Sequence, residues 1–233
     1  MEEYVLNQDI IINEDYKIFD ELVSRNKSSN GNGLIGWAKI FLQTKNGLIY
    51  DEESNLVISQ GREYVAQRVF NSNTYSGGSR PDWRSYVISH FAVGSGGSTV
   101  SGSPSTVTLN GPYICDTRLL APTSLGITGY LTEPSGTTLA VKPITASGGS
   151  VYLESANYSG GGISCTNYTK MKCTCIVPSG EPNALAAGET TKIDEAGLYF
   201  VSSLTPLLFS HICFAPKWKE KESTLTIQWY ILF

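Results

Sequence analysis

The chain has 233 residues, 41% apolar and only 16% charged, with a formal net charge of −4. That length can bury a core without disulfide or metal staples, and few charges alongside 23 glycines and 13 tyrosines favour strands, turns and broad protein contacts. The acidic balance and the lack of a basic stripe argue against nucleic acid as a partner.

The first residues, "MEEYVLNQDIIINEDYKIFDEL", lack the basic start and apolar run of a signal peptide, and no stretch reaches the roughly 18 apolar residues that span a bilayer. The expectation is a chain made in a cytoplasm, with no membrane contact. Residues 1–30 are expected to form an extended arm and linker. They mix acidic and apolar positions, allow one short amphipathic helix through Ile18, Leu22 and Val23, and end in "NKSSNGNG", a linker composition. Tyr4, Ile10, Ile11 and Ile12 are the arm's candidate contacts with a neighbouring subunit.

Residues 31–233 are expected to form a single domain. Two strands, Ile35–Thr44 and Gly47–Tyr50, flank the hairpin dipeptide Asn46-Gly47. A helix is predicted at about 60–70, with Val65, Val69 and Phe70 beside Tyr64 on the buried face and Arg62, Glu63, Gln67 and Arg68 outside. Strands are then predicted at Tyr86–Val93, Thr106–Leu109, around Leu139–Ile144, Ser150–Tyr158, Thr169–Val177, Thr191–Ile193, Gly197–Ser202, Leu207–Phe214 and Thr224–Leu232, punctuated by Gly, Ser and Pro turns. Such a run of short strands predicts a mainly β, β-sandwich or jelly-roll-like domain with one short helix. In the last strand Leu225, Ile227 and Trp229 share one face; Tyr230 to Phe233 are apolar on both, which implies a cover or a neighbouring subunit.

The loop Val93–Thr99, "VGSGGST", raises the question of a phosphate site. It lacks the third glycine, the following helix and the Gly-Lys-Ser/Thr of nucleotide loops, so its glycines are expected to turn the chain. His90 and His211 lie inside predicted strands and read as core or interface residues. Asp194 and Glu195 are adjacent, point apart on an extended chain and read as solvated or turn-forming acids, as do Asp51, Glu52 and Glu53. Cys115, Cys165, Cys173, Cys175 and Cys213 read as small core hydrophobes. The Cys173/Cys175 spacing does not fit a zinc knuckle. No catalytic, cofactor or metal residue is assigned. An aromatic-rich loop around Trp83 or Tyr158 leaves a receptor- or glycan-binding module as the alternative.

Five blocks in fixed order carry a resemblance: "NLVISQGREYVAQRVF", "ISHFAVGSGG", "DTRLLAP", "KIDEAGLYF" and "LLFSHICFAPKWKEKESTLTIQWYILF". Together they resemble tailed-bacteriophage virion structural proteins, and the later blocks resemble the amino-terminal module of phage tail-collar fibre proteins. The matching elements are Ala92–Gly97, Asp116–Leu120, Glu195–Tyr199 and Leu225–Trp229. Residues 1–54 and the missing fibre shaft depart from that module. The resemblance implies a non-enzymatic virion component, such as a tail, baseplate, collar or neck adaptor or a capsid-decorating protein. Its partners would be other phage structural proteins and copies of itself in a ring or lattice. The interface candidates are then Gly94, Gly96, Gly97, Trp218, Tyr230, Leu232 and Phe233 together with the arm residues.

Overall fold

The structure, a computed structural model, describes residues 35–75, 78–79, 82–102, 105–123, 131–132, 138–139, 141–160, 163–182, 185–202 and 205–232. The expected arm, residues 1–30, lies outside them. The fold is mainly β, with one α-helix among the described residues. In chain order the elements are β1 (Ile35–Thr44), β2 (Gly47–Val57), α1 (Ser59–Phe70), β3 (Thr74–Tyr75), β4 (Gly78–Ser79), β5 (Val87–Gly94), β6 (Ser98–Ser101), β7 (Thr106–Leu109) and β8 (Leu131–Thr132). They continue with β9 (Thr138–Leu139), β10 (Lys142–Pro143), β11 (Ser150–Gly160), β12 (Ile163–Val177), β13 (Thr190–Ser202), β14 (Thr205–Glu220) and β15 (Thr224–Leu232).

Nine strands form one antiparallel sheet in the order β10-β5-β13-β14-β2-β1-β15-β12-β11. β2 joins its two halves, because Gly47–Asn55 pairs with β1 whereas Leu56 and Val57 pair with β14. The sheet curls at that handover, and the inner faces of the halves close on one core in a sandwich-like arrangement. Alternation supplies the lining: Ala38, Ile40 and Leu42 from β1 and Leu225, Ile227 and Trp229 from β15 meet Phe91, Ala196, Leu198, Phe200, Phe209 and Phe214 of the other half. Each large side chain so buried contributes about 1.5–3 kcal/mol.

β1, β7 and β15 have the bounds expected from sequence, and β2 runs on to Val57. Asp51, Glu52 and Glu53 therefore lie in a strand and not a turn. Asp51 pairs with Lys217 at 2.6 Å. Lys45 and Asn46 make the β1–β2 turn, followed by Gly47 at φ 133°, a conformation that glycine adopts without steric cost. The two strands expected on either side of Asp194–Ala196 are one continuous strand, β13, with Gly197 in its interior. Its need for glycine is space: a Cβ there would come within 2.6 Å of Leu208 Cδ1. β13 keeps its course because β14 absorbs the mismatch, with Phe214, Ala215 and Pro216 falling between the pairs Ile193↔Lys217 and Glu195↔Cys213. A proline fits such an irregularity because it has no N–H to give the ladder.

α1 occupies the expected position and, as expected, buries Tyr64 with Val65 packed against the core, but the buried face runs through Gly61 and Gln67 and leaves out Val69 and Phe70. Gly61, Tyr64 and Gln67 are buried, while Val69 and Phe70 are 70% and 78% exposed. Gly61 lets the helix sit on β14 at Phe209. Tyr64 stacks on Phe200 at 5.0 Å and donates its hydroxyl to the Tyr86 carbonyl. Gln67 is tolerated inside because its Oε1 accepts the Trp83 N–H at 2.8 Å, the condition for burying a polar group. Trp83, 7% exposed, is itself core, packed on Phe200.

The two faces of α1 should respond to mutation against their hydropathy. Val69→Ser and Phe70→Ser should each change unfolding stability by less than about 0.5 kcal/mol, as exposed positions do. Gln67→Ala should cost about 1–3 kcal/mol by orphaning the Trp83 amide. Urea denaturation reads both, and the reverse ranking would contradict this packing.

Candidate functional site

The polar chemistry of the molecule gathers where β5 ends. β5 pairs with β13 as far as Gly94↔Glu195, after which residues 95–98 cross the backbone of β13 at Asp194. A Cβ on Gly97 would overlap the Asp194 carbonyl, and one on Gly96 would lie 2.7 Å from Leu120 Cβ. The loop needs its glycines for this close approach; none of Gly94, Gly96 and Gly97 has a positive φ. The chain bends at Ser95 and Gly97 as expected, but the glycines serve the close approach and not a left-handed turn.

Because the loop straddles β13, adjacent residues on opposite faces of the strand both reach it. Asp194 accepts the Gly97 N–H at Oδ1 (2.9 Å), and the Ser98 N–H (2.9 Å) and hydroxyl (2.6 Å) at Oδ2. Lys192 Nζ lies 2.8 Å from Oδ2 and also donates to the Ser98 carbonyl. Glu195 accepts from Gly96 (3.1 Å) and Ala121 (2.7 Å) at Oε1 and from Leu120 (2.8 Å) at Oε2. Both acids are fully buried, not solvated as their sequence context suggested. The remaining loop groups are also engaged: Ser95 N–H donates to Ala121 O, and Asn110 donates from its backbone to Gly97 O and from Nδ2 to Gly96 O.

A second layer lies behind Glu195. The buried His211 of β14 faces Asp116 Oδ2 with Nδ1 at 2.8 Å and Glu195 Oε2 with Nε2 at 3.2 Å. Cys213 Sγ lies 3.7 Å from Nε2. Burial, then the charges of Glu195 and Asp116, push its thiol up to about 12, so it remains a thiol and a poor nucleophile. Burial pushes the Glu195 carboxyl up as well, but His211 and the amides of Ala121, Leu120 and Gly96 outweigh it, and the net shift is down. Every acceptor in this cluster is turned toward the protein's own donors. The loop is an anion cradle filled from within, and its amides are not presented to a phosphate.

A separate knot closes the far end of β14. The three N–H groups of the fully buried Lys219 are shared among four carbonyls within reach, those of Pro178 (3.2 Å), Glu181 (2.5 Å), Glu220 (3.2 Å) and Ser223 (2.6 Å). Burial pulls its ammonium down to about 8. Lys142 holds the Glu181 carboxylate at 2.6 Å.

Among the other candidates, Trp218 is 57% exposed on β14, and Tyr230 is buried against Trp37 with ring centroids 4.9 Å apart. Leu232 pairs with Ile35 and Lys170 in the sheet. Tyr4, Ile10, Ile11, Ile12 and Phe233 lie outside the described residues. His90 is half-buried with Ser89 Oγ 2.9 Å from Nδ1, and burial lowers its pKa. Cys173, Cys175 and Cys213 are buried, whereas Cys115 is exposed and not a core residue. Among the described residues no cluster of His, Cys, Asp and Glu is arranged to hold a metal. Asp116, Lys142, Lys192 and Lys219 were not anticipated; the one available signal was acids and lysines set inside otherwise apolar strands. Comparison with protein-family models, with curated proteins and with solved structures gives no match.

A carboxyl whose folded pKa is depressed stabilises the fold fully above its ordinary value, here 4.5, and loses that contribution as pH falls through the depressed value. Glu195→Gln should therefore cost about 2–4 kcal/mol at neutral pH by stranding buried donors. It should also flatten the fall in stability below pH 4.5. Urea unfolding across a pH series tests both, and an unchanged acid slope would contradict the clamp. Gly97→Ala should cost at least about 1–3 kcal/mol, because the loop cannot yield without breaking the Asp194 bonds.

Proposed function

We propose that this chain is a structural component of a tailed-bacteriophage particle, a tail, baseplate, collar or neck adaptor or a capsid-decorating protein, that works by assembling with its neighbours. One observation carries the reading: four of the resembling blocks, far apart in sequence, supply one knot. Gly96 and Gly97 come from the second block, Asp116, Leu120 and Ala121 from the third, Asp194 and Glu195 from the fourth and His211 from the fifth. The first block, the end of β2 with α1, packs on the same β14 through Gly61 and Phe209. That the blocks meet in one framework, and are not scattered over the fold, supports the reading.

Under this reading the buried acids and His211 hold the framework and carry out no catalysis, and the work is done by surface. The hairpin of β6 and β7 puts Val100 opposite Val107, with Leu109 on the same side, and all three are 40–46% exposed. Tyr113, Ile114 and Leu120 are exposed as well. Apolar side chains exposed on one side of a hairpin suit a protein contact, and repetition in a ring or lattice turns weak contacts into a stable assembly. The glycan-binding alternative loses ground where Trp83 is core.

Native mass spectrometry of the purified chain should find a closed oligomer. The triple variant V100S/V107S/L109S should shift it to monomer with an unchanged Tm. A wild type that stays monomeric at every concentration, or a variant that assembles normally, would contradict self-assembly through this hairpin.

A further inference from the structure

The two ends of the nine-stranded sheet are finished differently. At one end the outer side of β5 is covered: Ile144 N–H donates to Ser89 O, His90 and Phe91 pair with β10, Thr123 N–H donates to Val93 O, and Gly94 bridges to Pro122. Pro143, which has no N–H to offer a further strand, ends β10. Cover and proline are devices that keep a sheet edge from adding another strand. At the other end β11 pairs with β12, and among the described residues no strand lies on its second side. Its register is unbroken from Ser150 to Ala156, and that stretch holds no proline, no lysine and one acid, Glu154.

The core is also unfinished at this edge. Pairing sets Ala38, Trp229, Cys173 and Val151 in one row across the inner face, and Ile231, Met171 and Leu153 in the next. Trp229, Cys173, Ile231 and Met171 are 5% exposed or less, yet Val151 and Leu153, which end the rows, are 41% and 69% exposed. Tyr152, on the outward face between them, is 43% exposed.

We propose that a second copy of this chain docks here, β11 against β11, antiparallel about a two-fold axis at Tyr152. An axis normal to the sheet keeps inner residues on the inner face, and identical antiparallel edges then present donors to acceptors on both sides of it. With the axis at Tyr152, Val151 faces Leu153 of the second copy and Leu153 faces its Val151, so each core row runs on into an apolar row of the neighbour. Tyr152 faces its counterpart on the outward side. Glu154 takes the position opposite Ser150, apart from its own copy. An axis at Glu154 would set two like charges opposite each other, which is destabilising, and an axis at Leu153 would set Val151 against Ser155. The contact is separate from the β6–β7 hairpin and independent of any role in a virus particle. One short strand edge is small beside a standard interface of about 1,600 Å², so the pair forms in concentrated protein and disperses on dilution.

Disulfide trapping tests it, in the full chain with Cys115 and Cys165 changed to serine. Facing residues of an antiparallel ladder have Cα atoms about 4.5–5.5 Å apart, within reach of a disulfide. In concentrated protein and a glutathione redox buffer, Tyr152→Cys should give severalfold more covalent dimer than Val69→Cys, a control at the exposed end of α1. Val151→Cys and Leu153→Cys chains should link to each other when mixed more than either links to itself. Adding Leu153→Lys to Tyr152→Cys should abolish the dimer with Tm unchanged. V100S/V107S/L109S carrying Tyr152→Cys should still be trapped, which separates this contact from that of the hairpin. Trapping no greater from position 152 than from position 69, or trapping that survives Leu153→Lys, would overturn the proposal. So would a thiol at position 152 that resists iodoacetamide in dilute protein, because the chain itself would then cover the edge.

Discussion

Two neighbouring carboxylates without access to water have to be met by donors, and meeting Asp194 and Glu195 fixes the arrangement of four separate segments. An isolated buried charge costs several kcal/mol. Here the charges are distributed over the amides of Gly96, Gly97, Ser98, Leu120 and Ala121, with Lys192 and His211 alongside. Donors so placed require a backbone that passes directly over β13, and only glycine permits that approach. The loop composition, the course of the loop after β5 and the irregularity in β14 opposite Asp194 are three consequences of one electrostatic demand.

The same demand explains why a glycine-rich loop at the end of a strand does not serve as a nucleotide site in this fold. Such loops bind phosphate by aiming backbone amides outward at an anion. This one aims them inward at two anions that belong to the protein. A carboxylate–imidazole–carboxylate row with a thiol beside it lies in the same buried cluster and links β13, β14 and residues 111–123. Outside the knot, the apolar side of the β6–β7 hairpin and the end of α1 are exposed.

The fold was legible wherever burial follows from residues close in sequence. β1 and β15 alternate cleanly, and their bounds could be read residue by residue. The helix could be placed but its buried face could not, because Gln67 is sheltered by a backbone amide 16 residues away while Val69 and Phe70 end the helix pointing to solvent. The clamp was misread for the same reason on a larger scale. Its backbone donors lie 74 to 99 residues from the acids, and local sequence alone makes two adjacent acids before a glycine look like a turn. A readable clue existed in the interruption of Ile193, Ala196, Leu198 and Phe200 by two carboxylates, since a strand buried on that scale tolerates acids only when donors are supplied.

If the clamp organises the fold, the loop that it holds is as stable as the core, although it lies outside any long strand. Amide hydrogen exchange of the wild-type protein, resolved residue by residue, measures this directly. The account predicts that Gly96, Gly97, Ser98, Leu120 and Ala121 exchange only with global unfolding, at the same free energy as amides in β13 and β14. Exchange of these five amides at the rate of an open surface loop, with the strands still protected, would contradict it.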